Sequence, residues 1–272
     1  MINQEKITKL ASLIDLERDH QKRAVRWALE QLLGAKQCGV VLADEVGCGK
    51  TYEALTLLAL LWHHYRQTKE PVRRILILCK PGLLRKWHDE LTSNEIRPDG
   101  TKQGLKPYLT AERWQPFTRQ FIDQLYMINN LDKAHRLWRG QDGPRVRGIR
   151  EANKLQLPEG LYLVNHHLLY DSKRSSADLL KRLYRTNWDL VIVDEAHHYG
   201  KGNKCDSIFA KNYQGLGRGG QPDFGVTGTL AYRHILLLTA TPFELDPGEM
   251  LNLLRIARAN EKDLEQLSRL LY

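Results

Sequence analysis

Three apolar runs in this 272-residue chain each end in residues that can do chemistry. Val40-Val41-Leu42-Ala43 leads into Asp44-Glu45-Val46-Gly47-Cys48-Gly49-Lys50-Thr51. Glycines at 47 and 49 let backbone N–H groups turn inward toward an anion, and the following helix adds its own N-terminal donors. The loop Glu45, Val46, Gly47, Cys48 and Gly49 would cradle phosphates, Lys50 would reach the β- and γ-phosphates of a nucleotide, and Thr51 would bind magnesium through its hydroxyl. The strict spacing wants a glycine six residues before the lysine, and Asp44 stands there.

The second run, Leu190-Val191-Ile192-Val193, ends in Asp194-Glu195-Ala196-His197. A buried strand places both carboxylates at the carboxyl edge of its sheet, where open α/β sheets bind ligands. Asp194 would hold magnesium, and Glu195 would orient and deprotonate a water, which makes Lys50, Asp194 and Glu195 the candidate catalytic set. Acidic residues favoured by a helix dipole are the plainer reading of this pair, and the loop upstream weighs against it. The third run, His234-Ile235-Leu236-Leu237-Leu238, ends in Thr239-Ala240-Thr241-Pro242. Hydroxyls of Thr239 and Thr241 could bond the Asp194–His197 segment, with His197 as partner, and report nucleotide state. A threonine-rich strand-to-helix turn explains them equally well.

These runs need a scaffold. Apolar positions Ala24, Trp27, Ala28 and Leu32, widened by Val25 and Leu29, predict an amphipathic helix over 19–33 that Gly34 stops. Strands are predicted at 39–43, 74–79, 161–165, 189–193 and 234–238, and a helix from Lys50 to about Tyr65 with Leu55, Leu58 and Trp62 on its sheet face. Ile75-Leu76-Ile77-Leu78 is continuous, as suits a parallel strand buried on both faces. Another helix is predicted over 83–91, and the tail from Asn260 reads as helix. Strands alternating with helices predict an α/β fold with a mostly parallel central sheet flanked by helices. The segment 99–158 reads as a largely helical insertion with ten Lys or Arg in 101–150 against four Asp or Glu. Its aromatics (Tyr108, Trp114, Phe117, Phe121, Tyr126, Trp138) suit a small core better than a base-stacking platform. The Gly-rich stretch 200–229 reads as a loop.

Composition narrows the class. A chain 42% hydrophobic can bury a sizeable core, and a net charge of +9 favours a polyanionic partner. The four cysteines form no C-x-x-C pair, which fits a reducing intracellular compartment and no zinc site. The paired histidines 63–64, 166–167 and 197–198 have no local ligand spacing. The first residues carry no signal-peptide core, and no apolar stretch is long enough to span a bilayer.

Taken in order, these segments resemble the first RecA-like lobe of a superfamily-two helicase, most closely the Swi/Snf-type (DEAH-box) DNA translocases of the bacterial branch. Asp44-Glu45-Val46-Gly47-x-Gly49-Lys50-Thr51 is that group's wording of the phosphate loop. The run from Ile75 through Trp87-His88-Asp89-Glu90-Leu91 resembles its motif Ia, Leu163 to Leu169 its motif Ib, Asp194 to His197 its motif II and Thr239 to Pro242 its motif III. The resemblance spans about 16–254. It implies a P-loop NTPase that uses ATP and Mg2+, an adenine-reading role for Gln21, and duplex DNA as partner. Gln21 read without it is equally a solvated helix residue. The nucleic-acid track it implies would use Lys80, Arg85, Lys86, His166 and His167, through sequence-independent, salt-sensitive phosphate contacts.

The chain ends soon after motif III, so a second RecA-like lobe with its arginines is expected elsewhere in a longer, cytoplasmic, bacterial motor. The 272-residue piece by itself is then expected to bind ATP weakly, hydrolyse it slowly and not translocate. Two alternatives stand beside this reading. One is an RNA helicase, against which the Asp44-Glu45 start and the Trp87-x-x-Glu90-Leu91 helix argue. The other is a nucleotide-gated protein- or RNA-binding module that docks a protein partner through the insertion, with incidental hydrolysis.

Overall fold

The computed structural model describes residues 2–35, 37–45, 47–96, 102–128, 156–169, 182–184, 186–200, 230–240, 247–257, 259 and 261–271. Val46, Thr241, Pro242, Trp138 and the Gly-rich stretch 201–229 lie outside them.

The strands are β1 (Gly39–Leu42), β2 (Arg74–Cys79), β3 (Glu95–Ile96), β4 (Lys102–Gln103), β5 (Leu125–Ile128), β6 (Gly160–Asn165), β7 (Asn187–Val193) and β8 (Ala231–Leu238). Six of them form one sheet in the order β1-β8-β7-β2-β6-β5, and every neighbouring pair in it is parallel. The short β3 and β4 pair antiparallel by themselves. Each inner strand is apolar at nearly every position because both faces are covered. Ile75, Ile77, Leu163, Ile192, Leu236 and Leu238 join one core cluster, while Leu76, Leu78, Val164, Val191, Val193 and Leu237 join the other. Fully burying each such side chain contributes about 1.5–3 kcal/mol against leaving it in water.

The principal helices are α1 (Gln4–Ala11), α2 (Asp19–Leu29), α3 (Lys50–Tyr65), α4 (Leu84–Thr92), α5 (Pro247–Ile256) and α6 (Glu261–Leu271). None of the described helices is long and apolar enough to cross a membrane. The predicted helix over 19–33 is α2 followed by a π-helical turn, Glu30–Gly34, so Gly34 does end it. Its buried stripe is Gln21, Val25, Ala28, Leu29, Leu32 and Leu33; Trp27, expected on that stripe, is 45% exposed. Trp27 sits one residue before Ala28, and the 100° step between neighbours carries its ring out of the core.

Two further expectations change. Helix α3 has no single sheet-facing stripe: Glu53 through Trp62 are all buried. It packs against the sheet core, against α1 and α2, and against Trp114 and Phe117, whose rings lie 6.4 and 5.4 Å from Trp62. The segment 99–158 also supplies a strand to the main sheet. β5 pairs with β6, Leu125 opposite Leu161, and Tyr126 stacks on Tyr162 with centroids 4.6 Å apart. The described part before β5 is short turns of 3-10, α and π type over 106–122 rather than long helices. Trp114, Phe117 and Phe121 are buried in the main core, as the core reading of these aromatics required.

Candidate functional site

Parallel pairing brings the carboxyl ends of β1, β8 and β7 side by side, with Leu42 opposite Leu238 and Val193 opposite Leu237. Each of the three chemistry-bearing segments leaves the sheet there. Backbone bonds carry the ladder past the strands: Thr239 N–H donates to Leu42 O at 3.0 Å, Ala196 N–H to Leu238 O at 2.8 Å, and Asp194 N–H to Leu78 O at 2.8 Å. The three segments are thus fixed relative to one another by the sheet and not by loop packing alone.

Gly47 and Gly49 have φ of +85° and +93°, the left-handed conformation that side chains disfavour. Gly49 caps α3, and its carbonyl accepts from Tyr52 N–H and Glu53 N–H. A Cβ at Gly49 would collide with the Gln21 amide nitrogen. Lys50 Nζ donates to the carbonyls of Asp44 at 2.5 Å and Glu45 at 2.8 Å, so its ammonium lies across the loop. Thr51 follows in the first turn of α3. Gln21 is buried and donates from Nε2 to Cys48 O at 3.0 Å, and His20 Nε2 lies 2.9 Å from the same carbonyl. The start of α2 therefore clamps the loop, and for His20 no sequence pattern announces the contact.

Below the loop, Glu53 is fully buried beside Asp44 and Lys50. Burial, then the charge of Asp44, push its carboxyl up to about 7, with Lys50 opposing.

Asp194 and Glu195 follow β7 directly. Asp194 Oδ1 accepts from Glu195 N–H at 3.0 Å, and Oδ2 accepts from the indole N–H of Trp87 at 2.8 Å. Burial raises the Asp194 carboxyl above its ordinary value, and the Trp87 bond works against that rise. Glu195 has φ of +53°, alone among the described non-glycine residues in this region. Strain of this kind costs about 1–3 kcal/mol and persists where surrounding structure fixes it. Glu195 Oε2 lies 3.3 Å from His197 Nδ1, and Thr239 Oγ1 lies 3.4 Å from the same nitrogen. His197 thus joins the segment after β7 to the segment after β8, while Thr241 falls outside the described residues.

The basic residues divide. Arg85 and Lys86 are exposed at the start of α4, Arg85 beside Asp89 at 3.7 Å, and Lys80 is half-buried just before them. His167 is exposed, but His166 is buried and bonds Tyr199 through Nδ1 at 3.1 Å. His166 therefore faces the interior and not the surface expected of a phosphate contact. Burial, with His167, His198 and Lys80 nearby, lowers its pKa to about 4 and keeps the ring neutral. The pair opens a 3-10 turn, His166–Leu169, just after β6, and at three residues per turn neighbouring side chains point about 120° apart, so the two rings face different surroundings.

Could the site hold magnesium? Thr51 offers a hydroxyl and Asp194 a carboxylate whose two oxygens are each oriented by one N–H donor. Both are the hard oxygen donors that this ion takes.

The SNF2-related domain family matches residues 20–102. The RNA polymerase-associated protein RapA of Actinobacillus pleuropneumoniae is 31% identical over 82% of this chain and 18% of its own length. Protein CHROMATIN REMODELING 19 of Arabidopsis thaliana is 27% identical over 79% of this chain and 22% of its own length. A solved structure of a nuclease-deletion mutant of the Type ISP restriction-modification enzyme LlaGI with a DNA substrate mimic covers 84% of this chain and 18% of that one, at 15% identity and TM-score 0.43. The chain spans less than a quarter of the length of either curated relative. Together with the phosphate loop and the Asp-Glu-Ala-His turn, the SNF2-related match and these relatives support a first RecA-like lobe of the superfamily-two, Swi/Snf-type helicase kind.

Proposed function

We propose that this lobe binds ATP with Mg2+ at the carboxyl edge of β1, β8 and β7, and that the protein containing it couples ATP hydrolysis to movement along duplex DNA. One observation carries the reading: Lys50, the Asp194–Glu195 pair and the His197–Thr239 contact follow three strands whose carboxyl ends are neighbours in the sheet. The names of the relatives, a chromatin-remodelling protein and an RNA polymerase-associated protein, support DNA as the track.

In this reading the loop 45–49 offers backbone N–H groups to the phosphates, and Lys50 leaves the Asp44 and Glu45 carbonyls for phosphate oxygens. Gln21 reads the adenine edge from its place beside Cys48. Thr51 and Asp194 would hold the Mg2+, whose charge would offset that of the phosphates. Glu195 takes a proton from the attacking water, and His197 with Thr239 relays the state of that carboxylate to β8. Lys80, Arg85, Lys86 and His167 contact backbone phosphates of the nucleic acid. A second RecA-like lobe of the same protein completes the cleft and supplies arginines to the transferring group, and the segment 99–158 widens the basic surface or docks a protein. The setting is the bacterial cytoplasm.

The test is ATP turnover of the full protein with duplex DNA, single-stranded DNA and RNA, against Lys50→Ala. Stimulation by duplex DNA that vanishes in the variant is the expected result. Flat turnover with every nucleic acid would overturn the motor reading in favour of a nucleotide-gated binding module.

A further inference from the structure

The indole of Trp87 is almost fully buried, 1% exposed, yet its N–H is not spent on a backbone carbonyl of its own helix. It reaches across the sheet edge to Asp194 Oδ2, 107 residues away in the chain, at 2.8 Å. An indole N–H is a donor only, and Asp194 accepts its other bond from the backbone of Glu195. The orientation of the Asp194 carboxylate is therefore set by one donor from its own turn and one from α4.

That second donor has a particular address. β2 and β7 are paired, Leu78 opposite Val193, so the start of α4 and Asp194 stand at neighbouring carboxyl ends. Arg85 and Lys86, both exposed, immediately precede Trp87 on the first turn of α4, and Leu84, Trp87 and Leu91 pack its other face into the core. A polyanion drawn to Arg85 and Lys86 pulls on the turn that carries the indole. A directional hydrogen bond transmits such a shift to the half-buried Asp194 carboxylate, where an apolar contact would slide.

We infer that Trp87 is a positioning residue that joins the nucleic-acid-facing start of α4 to the metal-binding carboxylate Asp194, so that contact with a phosphate backbone aligns the nucleotide site. The inference rests on the proposed reading of that site as an ATPase on DNA. Supporting partners of metal ligands typically contribute about 10–100-fold in metal affinity or activity.

The experiment uses the full protein and the variant Trp87→Phe, which keeps an aromatic ring and removes the donor. Two quantities are read: the factor by which Mg2+ strengthens equilibrium ATP binding, and the factor by which duplex DNA stimulates turnover. Each is expected to fall about 10-fold or more, with ATP binding in a chelator and affinity for duplex DNA unchanged. Leu91→Ala, a core change on the same helix, is expected to lower stability and leave both factors intact. If Trp87→Phe does not fold, β-(3-benzothienyl)alanine placed at position 87 keeps the bicyclic shape and replaces the N–H by sulfur, and the same losses are expected. Unchanged factors in a wild-type background that DNA stimulates would overturn the role of Trp87 alone. A wild-type protein that no nucleic acid stimulates would overturn the ATPase-on-DNA reading and this inference with it.

Discussion

Glu195 holds its carboxylate 3.3 Å from Nδ1 of His197, and it does so from a left-handed backbone conformation with φ of +53°. The strain and the contact belong together. Turning the backbone of Glu195 swings its carboxylate out from the end of β7, and Ala196 N–H bonded to Leu238 O locks the turn. Glu195→Gln keeps the size of the side chain and removes its basicity. Turnover of the full protein is expected to fall by about 100-fold or more, the scale of a lost general base, with ATP affinity retained. Single-turnover hydrolysis beside equilibrium nucleotide binding separates the two, and a variant that hydrolyses normally would move the base elsewhere.

Lys50 spans the loop through the carbonyls of Asp44, half-buried, and Glu45, exposed, so solvent can reach both once the ammonium leaves. Lys50→Ala is therefore expected to cost little fold stability and much nucleotide affinity. Titration with a fluorescent ATP analogue should show binding weakened at least about 10-fold, with the unfolding midpoint within a few degrees of wild type. A large loss of stability with unchanged affinity would mean that the lysine is structural.

Gly49 and Gln21 supply a sharper test of the loop. Gly49→Ala meets two penalties: a side chain at φ of +93°, and a collision with the Gln21 amide. Backbone strain of this kind costs about 1–3 kcal/mol. Removing the amide in Gln21→Ala relieves the collision and leaves the strain. Denaturant unfolding of the two single variants and the double variant should give a double variant less destabilised than the sum, by about 1 kcal/mol. Strict additivity would mean that Gln21 does not bear on the loop.

How far these relationships could be read from the chain depends on their range. Continuous runs such as Ile75-Leu76-Ile77-Leu78 announce strands buried on both faces, and the structure has them where expected. Leu125-Tyr126-Met127-Ile128 has the same character, but at four residues inside an aromatic-rich segment it does not separate from helix by pattern. For Trp27 and His166 residue type gives no direction: an exposed Trp beside a buried Ala, and a buried His beside an exposed one, differ by a single step along the backbone. The phosphate loop is legible because its chemistry is local. The bond from Trp87 to Asp194 is not, since only the pairing of β2 with β7 creates it.

Glu53 provides a prediction in pH. Its carboxyl is raised to about 7 in the fold against an ordinary 4.5, by burial first and by Asp44 second, with Lys50 pulling the other way. Between those values the folded protein holds a proton that the unfolded chain has released, so unfolding becomes easier as pH rises. The loss begins near pH 4.5 and is complete somewhat above 7. At about 1.4 kcal/mol per pH unit between the two values, the penalty at pH 8 is on the order of 3 kcal/mol. Glu53→Gln resembles the protonated acid and cannot ionise. It should match wild type near pH 4 and exceed it at pH 8, by a margin of that order, in denaturant unfolding at both values. Parallel profiles for the two proteins would show that Glu53 stays ionised in the fold and that Lys50, not burial, governs its charge.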